Sequence, residues 1–262
     1  MKNKKAQTTL FIIAAILIAV VLGVFIIFRG EILQNIPGFE GDKANPDLFL
    51  KEKLRPNIEK TIDTMGLQGG YMSNPFNFTF TFSSEGNPTD ISYLCYTQMN
   101  YLPCVSQEPM LINHLESEIK NEIAVEVENG FNDLLVAFED DGYVVDAKYN
   151  GFNVKLEKGR VLIDIDCDLK LTKNDESTQY NNFKIIILSK FYDLALVAQE
   201  IASQEAKYCN FEYIGYQLIY PEFSIDQFRM DNSVKIYTIK SKKTGEVFRF
   251  AVRSCVIPTN II

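Results

Sequence analysis

The sequence predicts an α+β ectodomain of antiparallel sheet with about three helices, carried behind one amino-terminal transmembrane helix. Three observations point there. Ala6 to Phe28 contains no charged residue, two later segments repeat apolar residues at helical spacing, and from Gly142 onward the pattern changes to apolar–polar alternation broken by turn residues.

The apolar run comes first. Leu10 to Phe28, wound as a helix at about 1.5 Å per residue, covers about 28 Å, close to the hydrocarbon thickness of a bilayer. Lys2, Lys4 and Lys5 precede it, and Phe28-Arg29-Gly30-Glu31 offers no small-x-small cleavage site, so the run reads as a retained anchor rather than a cleaved secretory signal. Basic residues on the amino-terminal side keep the short head in the cytoplasm and place the remainder outside. The expected layout is a basic leader at 1–6, an anchor at 7–33 lodged in the lipid bilayer, a hinge at 34–45 containing Pro37, Gly38 and Gly41, and an extracellular ectodomain at 46–262 with a possible split near 130–142. Ala15, Ala19 and Gly23 recur every fourth residue, a small-residue face along which two such helices associate.

Within the ectodomain, Asn45-Pro46-Asp47 starts a helix whose stripe is Leu50, Leu54, Ile58, Ile62 and Met65 and which stops at Gly66 and the Gly69-Gly70 turn. Phe76, Phe78, Phe80 and Phe82 alternate with Asn77, Thr79 and Thr81, as in a half-buried strand, and Ile91 to Tyr96 is expected to continue that sheet. Ser106 is expected to cap a second helix, with Glu108 and Pro109 in its first turn and Met110, Leu111, Leu115, Ile119 and Ile123 along its apolar side. Strands follow at 143–148, 152–157, 160–172 and 180–188, separated by turns at Asn150-Gly151, Lys158-Gly159 and Lys173-Asn174-Asp175, which reads as an antiparallel meander. A third helix spans about Ser189 to Ala206. The strands 233–241 and 246–256 then flank the hairpin turn Lys242-Lys243-Thr244-Gly245.

Composition narrows the partners. The 262 residues carry 26 Lys+Arg against 34 Asp+Glu, and three of those bases lie in the first 28 residues with no acid, so the exported part is more acidic still. Nucleic acid is thereby an unfavourable partner. Five cysteines fall outside the anchor: Cys95, Cys104, Cys167, Cys209 and Cys255. An oxidising exterior permits disulfides, and the odd count leaves at least one thiol. Cys95 with Cys104 is the best pair by spacing, closing a short loop between aromatic-rich arms; Cys209 with Cys255 is the second choice, and five buried thiols are the plain alternative. Asn77-Phe78-Thr79 is a glycosylation acceptor sequence.

Catalytic constellations are thin. The single histidine, His114, sits beside the apolar side of the second helix near Glu118, without Cys or carboxylate partners at motif spacing, and reads as structural. Asp164, Asp166 and Asp168 would project from one strand face; a calcium site is conceivable chemistry there, but a solvated face is the simpler reading, as it is for the charged turn Glu139-Asp140-Asp141-Gly142. Tyr208, Asn210, Tyr213, Tyr216 and Tyr220 form an aromatic-rich connection that serves either core packing or recognition. No cofactor and no metal are expected.

Two resemblances add to these readings. Lys4-Lys5-Ala6-Gln7-Thr8-Thr9-Leu10-Phe11 resembles the class III, prepilin-type signal of archaeal surface proteins, which implies cleavage between Ala6 and Gln7 on the cytoplasmic side while the helix is kept. Phe11 stands at the fifth mature position, where many pilins carry a glutamate that pairs with a neighbour's new amino terminus. From the anchor through Leu67-Gln68-Gly69-Gly70-Tyr71 and the helix after Ser106 to Phe248-Arg249-Phe250-Ala251-Val252, the chain resembles a group of uncharacterised membrane-anchored proteins of small-genome archaea. That likeness implies an archaeal origin and an envelope location and carries no activity. The expected function is a non-enzymatic, single-pass cell-surface protein with a structural or interaction role, partnered by itself or by other envelope proteins. The alternatives are a pilin-like filament subunit processed after Ala6, and an extracellular hydrolase or metal-dependent enzyme using His114 or the Asp164–Asp168 row.

Overall fold

A computed structural model describes residues 45–82 and 86–255. The anchor, the Ala6/Gln7 cut and the small-residue face of Ala15, Ala19 and Gly23 lie outside the described residues. Among the described residues no helix is long and apolar enough to cross a membrane.

The architecture is α+β, with antiparallel pairing in all three sheets and five helices among the described residues, more than the three expected. Helix α1 (Pro46–Leu67) buries Leu50, Leu54, Ile58, Ile62 and Met65, the stripe read from the sequence. It ends where expected. The Gly70 N–H donates to the Met65 carbonyl at 2.8 Å, and both Gly69 and Gly70 hold positive φ, with a side chain at Gly69 meeting the Ser92 carbonyl at 2.9 Å.

The phenylalanine run departs from expectation. Only Thr79–Thr81 is a strand (β1), and it pairs with β2 (Pro88–Asp90) in a separate two-stranded ribbon. The alternation nevertheless holds: Phe76, Phe78, Phe80 and Phe82 all lean on a small core of Ile91, Tyr93, Val234, Ile236 and Ala251. The next strand, β3 (Tyr93–Tyr96), does not continue that ribbon. It joins a five-stranded sheet, running parallel to β10 (Val247–Arg253), because its Leu94 and Cys95 side chains are buried with the main core and need a fully covered position.

Ser106 is not a helix cap. It belongs to β4 (Val105–Ser106), paired with β3, and helix α2 (Leu111–Glu122) starts five residues later with Leu111, Leu115 and Ile119 buried and Met110 left exposed. Helix α3 (Ala124–Asp140) follows after one residue and occupies the segment where a split was possible; its Gly130 packs close against Leu54 of α1. The expected turn at Asn150-Gly151 is instead a bulge inside one long strand, β5 (Val144–Glu157), which pairs with β6 (Arg160–Lys173), itself paired with β7 (Glu176–Leu188), all antiparallel. Helix α4 (Phe191–Tyr208) and the short α5 (Tyr213–Ile219) lead to β8 (Phe223–Arg229) and the hairpin of β9 (Val234–Ser241) with β10.

The large sheet runs β4-β3-β10-β9-β8. Its inner face, with Tyr237, Ile239, Phe248, Phe250 and Val252, shares one continuous core with α1 to α4 and with the inner face of the β5-β6-β7 meander. The meander's edges are covered by side chains: the Asp47 carboxylate accepts from the Lys184 N–H at 3.1 Å, and Glu116 accepts from the Leu156 N–H at 2.9 Å.

Candidate interaction site

Strand register brings several loops to one end of the five-stranded sheet. Tyr96 pairs with Arg253, Arg253 with Val234, and Lys235 with Arg229, so the β3–β4 loop, Cys255 and the β8–β9 turn all emerge together. The β3–β4 loop is closed by the expected disulfide between Cys95 and Cys104, whose Cα atoms stand 5.4 Å apart. A second disulfide joins Cys209 to Cys255 across 5.5 Å, and Cys167 is the buried free thiol among the described residues. Two disulfides fit an oxidising, extracellular setting.

The loop is fastened from beneath as well. Arg253 donates from Nη1 to the Thr97 carbonyl and from Nη2 to Asn100 Oδ1 at 3.4 Å, while its guanidinium lies 5.9 Å from the Tyr96 ring centroid. The Thr97 N–H donates back to the Arg253 carbonyl at 3.0 Å, and the Met99 N–H donates to Thr97 Oγ1 at 3.2 Å. Below the loop, burial pushes the Tyr93 phenol up to about 12; neighbouring Tyr96 adds to that, and Arg253 opposes it.

What the loop presents is apolar. Ile91 to Gln107 contains no charged residue, in a chain of net charge −8. Met99, Tyr101, Leu102 and Val105 are 61%, 81%, 56% and 68% exposed. An isolated exposed apolar side chain carries no message, but four on one cross-linked, hydrogen-bonded loop form a patch held in a single shape before any partner arrives.

The aromatic-rich connection after α4 divides in two. Tyr213 and Tyr216 pack against the main core, whereas Tyr208, Tyr220 and Asn210 are exposed beside Ile214, Leu218 and Ile219. The Gln217 amide caps β8 like a neighbouring strand, accepting from the Ile225 N–H at 2.9 Å and donating to its carbonyl at 3.2 Å.

The remaining candidates have other work. His114 Nε2 lies 3.0 Å from the Gly70 carbonyl, its ring rests 4.4 Å from Tyr71, and its Nδ1 is 3.8 Å from Glu108. Tyr71 donates to Glu108 at 2.5 Å, Glu118 accepts from the Met72 N–H at 3.1 Å, and burial followed by the Glu108 contact raises the Tyr71 phenol. Together these groups hold the turn after α1 onto α2. Asp166 and Asp168 lie exposed on the outer face of β6 with Asp164 half-buried; Asp164 accepts from Asn182 and Asp168 from Asn150. Among the described residues no group of three or more His, Cys, Asp or Glu is placed to hold a metal ion. Glu139 to Asp141 close α3, and Gly142 follows at φ +83°. Asn77 is exposed in the turn before β1.

One polar cluster escaped the sequence reading. Glu205 of α4 is fully buried, and Lys235 of β9 donates to both its carboxylate oxygens, at 2.8 and 2.7 Å, and to the Cys209 carbonyl at 2.7 Å. Tyr237 also donates to Glu205, and the Ser254 hydroxyl donates to the Glu205 carbonyl at 3.0 Å. Burial pushes the Lys235 ammonium down while Glu205 pulls it back, and burial raises the Tyr237 phenol with Glu205 adding to it. All three ammonium protons are used, so the cluster is a fastening between α4 and the sheet. Its sequence signal was visible: Glu205 falls on the stripe of Leu194, Ala198 and Ile201, and Lys235 shares the inward strand phase of Tyr237 and Ile239.

Comparison with family models, with curated proteins and with solved structures returned no match.

Proposed function

We propose that the chain is a single-pass, membrane-anchored archaeal cell-surface protein that works by binding, with the disulfide-closed loop 95–105 as its recognition tip for another envelope protein. The carrying observation is the uncharged loop itself, cross-linked by Cys95–Cys104, held by Arg253, and displaying Met99, Tyr101, Leu102 and Val105 to solvent. Apolar and aromatic side chains on a rigid support are the anchors from which protein interfaces draw most of their energy. The lysine-led apolar run at the amino terminus supports the anchored location, and the two disulfides support the outward one. A binding role is favoured over a catalytic one because His114 is engaged in holding the turn after α1 and the Asp164–Asp168 row lines an open strand face.

The test is photo-crosslinking on intact cells with the photoreactive group placed at Leu102 and, as a control, at Asp166. A discrete protein adduct at Leu102 and none at Asp166 is expected. Equal labelling at both positions, or none at either, removes the loop from its role. Carbonate washing of native membranes should leave the full chain in the pellet; release into the supernatant would remove the anchor.

A further inference from the structure

Two asparagines three residues apart in the turn before β1 do different things. Asn74 is consumed by the fold: its Nδ2 donates to the Phe78 carbonyl at 3.0 Å and to Asp90 at 2.9 Å, and its Oδ1 accepts from the Phe78 N–H at 3.2 Å. Asn77 is exposed at φ +50°, and its side-chain amide makes no hydrogen bond among the described residues. Phe78 turns inward, its ring 5.0 Å from that of Tyr93, while Thr79 at the start of β1 is exposed again. The acceptor sequence Asn77-Phe78-Thr79 is therefore pinned by its middle residue, with both chemically required side chains offered to solvent.

We propose that Asn77 is an N-glycosylation site of the mature protein, modified by an oligosaccharide from a lipid-phosphate-linked donor. The Asn77 Nδ2 attacks the anomeric carbon of the donor sugar; a C–N bond forms, the C–O bond to the lipid phosphate breaks, the phosphate leaves with the electron pair, and one amide proton passes to the base of the transferring enzyme. β1 belongs to a two-stranded ribbon with β2 as its one partner among the described residues, so no third strand there covers Thr79. The same ribbon carries its own control. Asn87-Pro88-Thr89 lies across from β1, where Pro88 pairs with Thr81, and the proline between Asn87 and Thr89 blocks acceptor chemistry there.

The inference rests on the outward topology proposed above, and the experiment separates the two. Full-length protein purified from its native membranes is analysed by glycopeptide mass spectrometry, alongside protease treatment of intact cells. Peptides containing Asn77 should carry a hexose-containing mass increment and Asn87 none; Thr79→Ala should abolish the increment and Thr79→Ser retain it. Both substitutions are at an exposed position, so the chain folds in either case. Bare Asn77 on an ectodomain that external protease cleaves overturns the glycosylation site alone. Bare Asn77 on a protected ectodomain overturns the site and the topology together, and a modification that survives Thr79→Ala overturns the assignment to this acceptor sequence.

Discussion

The two disulfides sit at the same end of the five-stranded sheet and use nearly the same Cα separation, 5.4 and 5.5 Å, yet they are set in opposite surroundings. Cys95–Cys104 spans nine positions and closes a loop whose apolar side chains point to water. Cys209–Cys255 spans 46 positions and stands beside the buried Glu205–Lys235–Tyr237 cluster, where α4 ends at Cys209 in a left-handed cap. One cross-link shapes a surface; the other reinforces a junction already held by ions and hydrogen bonds. The difference shows that covalent closure by itself says little about role, which is set by what the closed segment touches.

The sharpest way to break this contrast is at the junction. Glu205→Ala leaves the Lys235 ammonium buried without its counter-charge, which costs about 3–5 kcal/mol. Denaturant unfolding of the detergent-solubilised full chain reads that loss, and Lys235→Met combined with Glu205→Gln should recover a large part of it. If Glu205→Ala unfolds like the parent chain, the cluster is not a fastening.

The disulfides themselves come next. In the loop-entropy description, opening Cys209–Cys255 by serine substitution costs about 4 kcal/mol and opening Cys95–Cys104 about 2.5 kcal/mol. The ranking is the informative part: equal losses would mean that the loop bears on overall stability as much as the junction does.

How far these features could be read beforehand depends on periodicity. The α1 stripe, the meander and the Cys95–Cys104 pair were legible because each repeats over many residues or closes a short span. Helix α3 was not, because its second half coincides with the stretch 130–142 that reads as a split, whereas Gly130 lets Leu54 approach within 3.2 Å of its missing Cβ position. Strand β8 and helix α5 are too short for periodicity to stand out, and the sheet that β3 joins is not legible because its parallel pairing of Cys95 with Val252, 157 positions away, leaves no local trace. The disulfide-closed loop was half legible. Its staple followed from cysteine spacing, but the Arg253 clamp depends on the fold that brings the carboxy-terminal strand beneath the loop.

Alkaline titration compares the meander with the ground beneath the loop. Burial, with Asp166 and Asp168 nearby, pushes the Cys167 thiol of β6 from 9.0 up to about 11, and burial pushes Tyr93 from 10.0 up to about 12. Both values are raised, so the unfolded chain releases these protons first and binds fewer than the folded chain. Stability is therefore fully present below about pH 9 and falls as pH rises through 11 and 12. Cys167→Ala should flatten the fall between 9 and 11, and Tyr93→Phe the fall between 10 and 12. Unchanged slopes in both variants would place the titrating groups elsewhere.

Arg253→Ala tests the clamp with a smaller stability effect, about 1–2 kcal/mol for the lost hydrogen bonds. Its expected signature is local. Hydrogen exchange at the amides of Thr97 and Met99 should accelerate, while the amides of β5 to β7 keep their protection. Uniform acceleration would show that Arg253 supports the sheet rather than the loop.

The smallest effect on stability should accompany the largest on binding. Tyr101 is 81% exposed, so Tyr101→Ala removes little buried surface and should change unfolding free energy by no more than about 0.5 kcal/mol. If the loop is a recognition tip, the same substitution weakens the crosslinked adduct formed from Leu102, because an aromatic anchor contributes far more across an interface than it does while facing water. A substitution on the outer face of the meander, such as Lys170→Ala, is also at an exposed position and should leave both readouts unchanged. Loss of stability without loss of the adduct would show that Tyr101 serves the fold, as the Cys209–Cys255 junction does, and that the loop binds through Met99, Leu102 and Val105 instead; loss of neither would leave Tyr101 outside both roles.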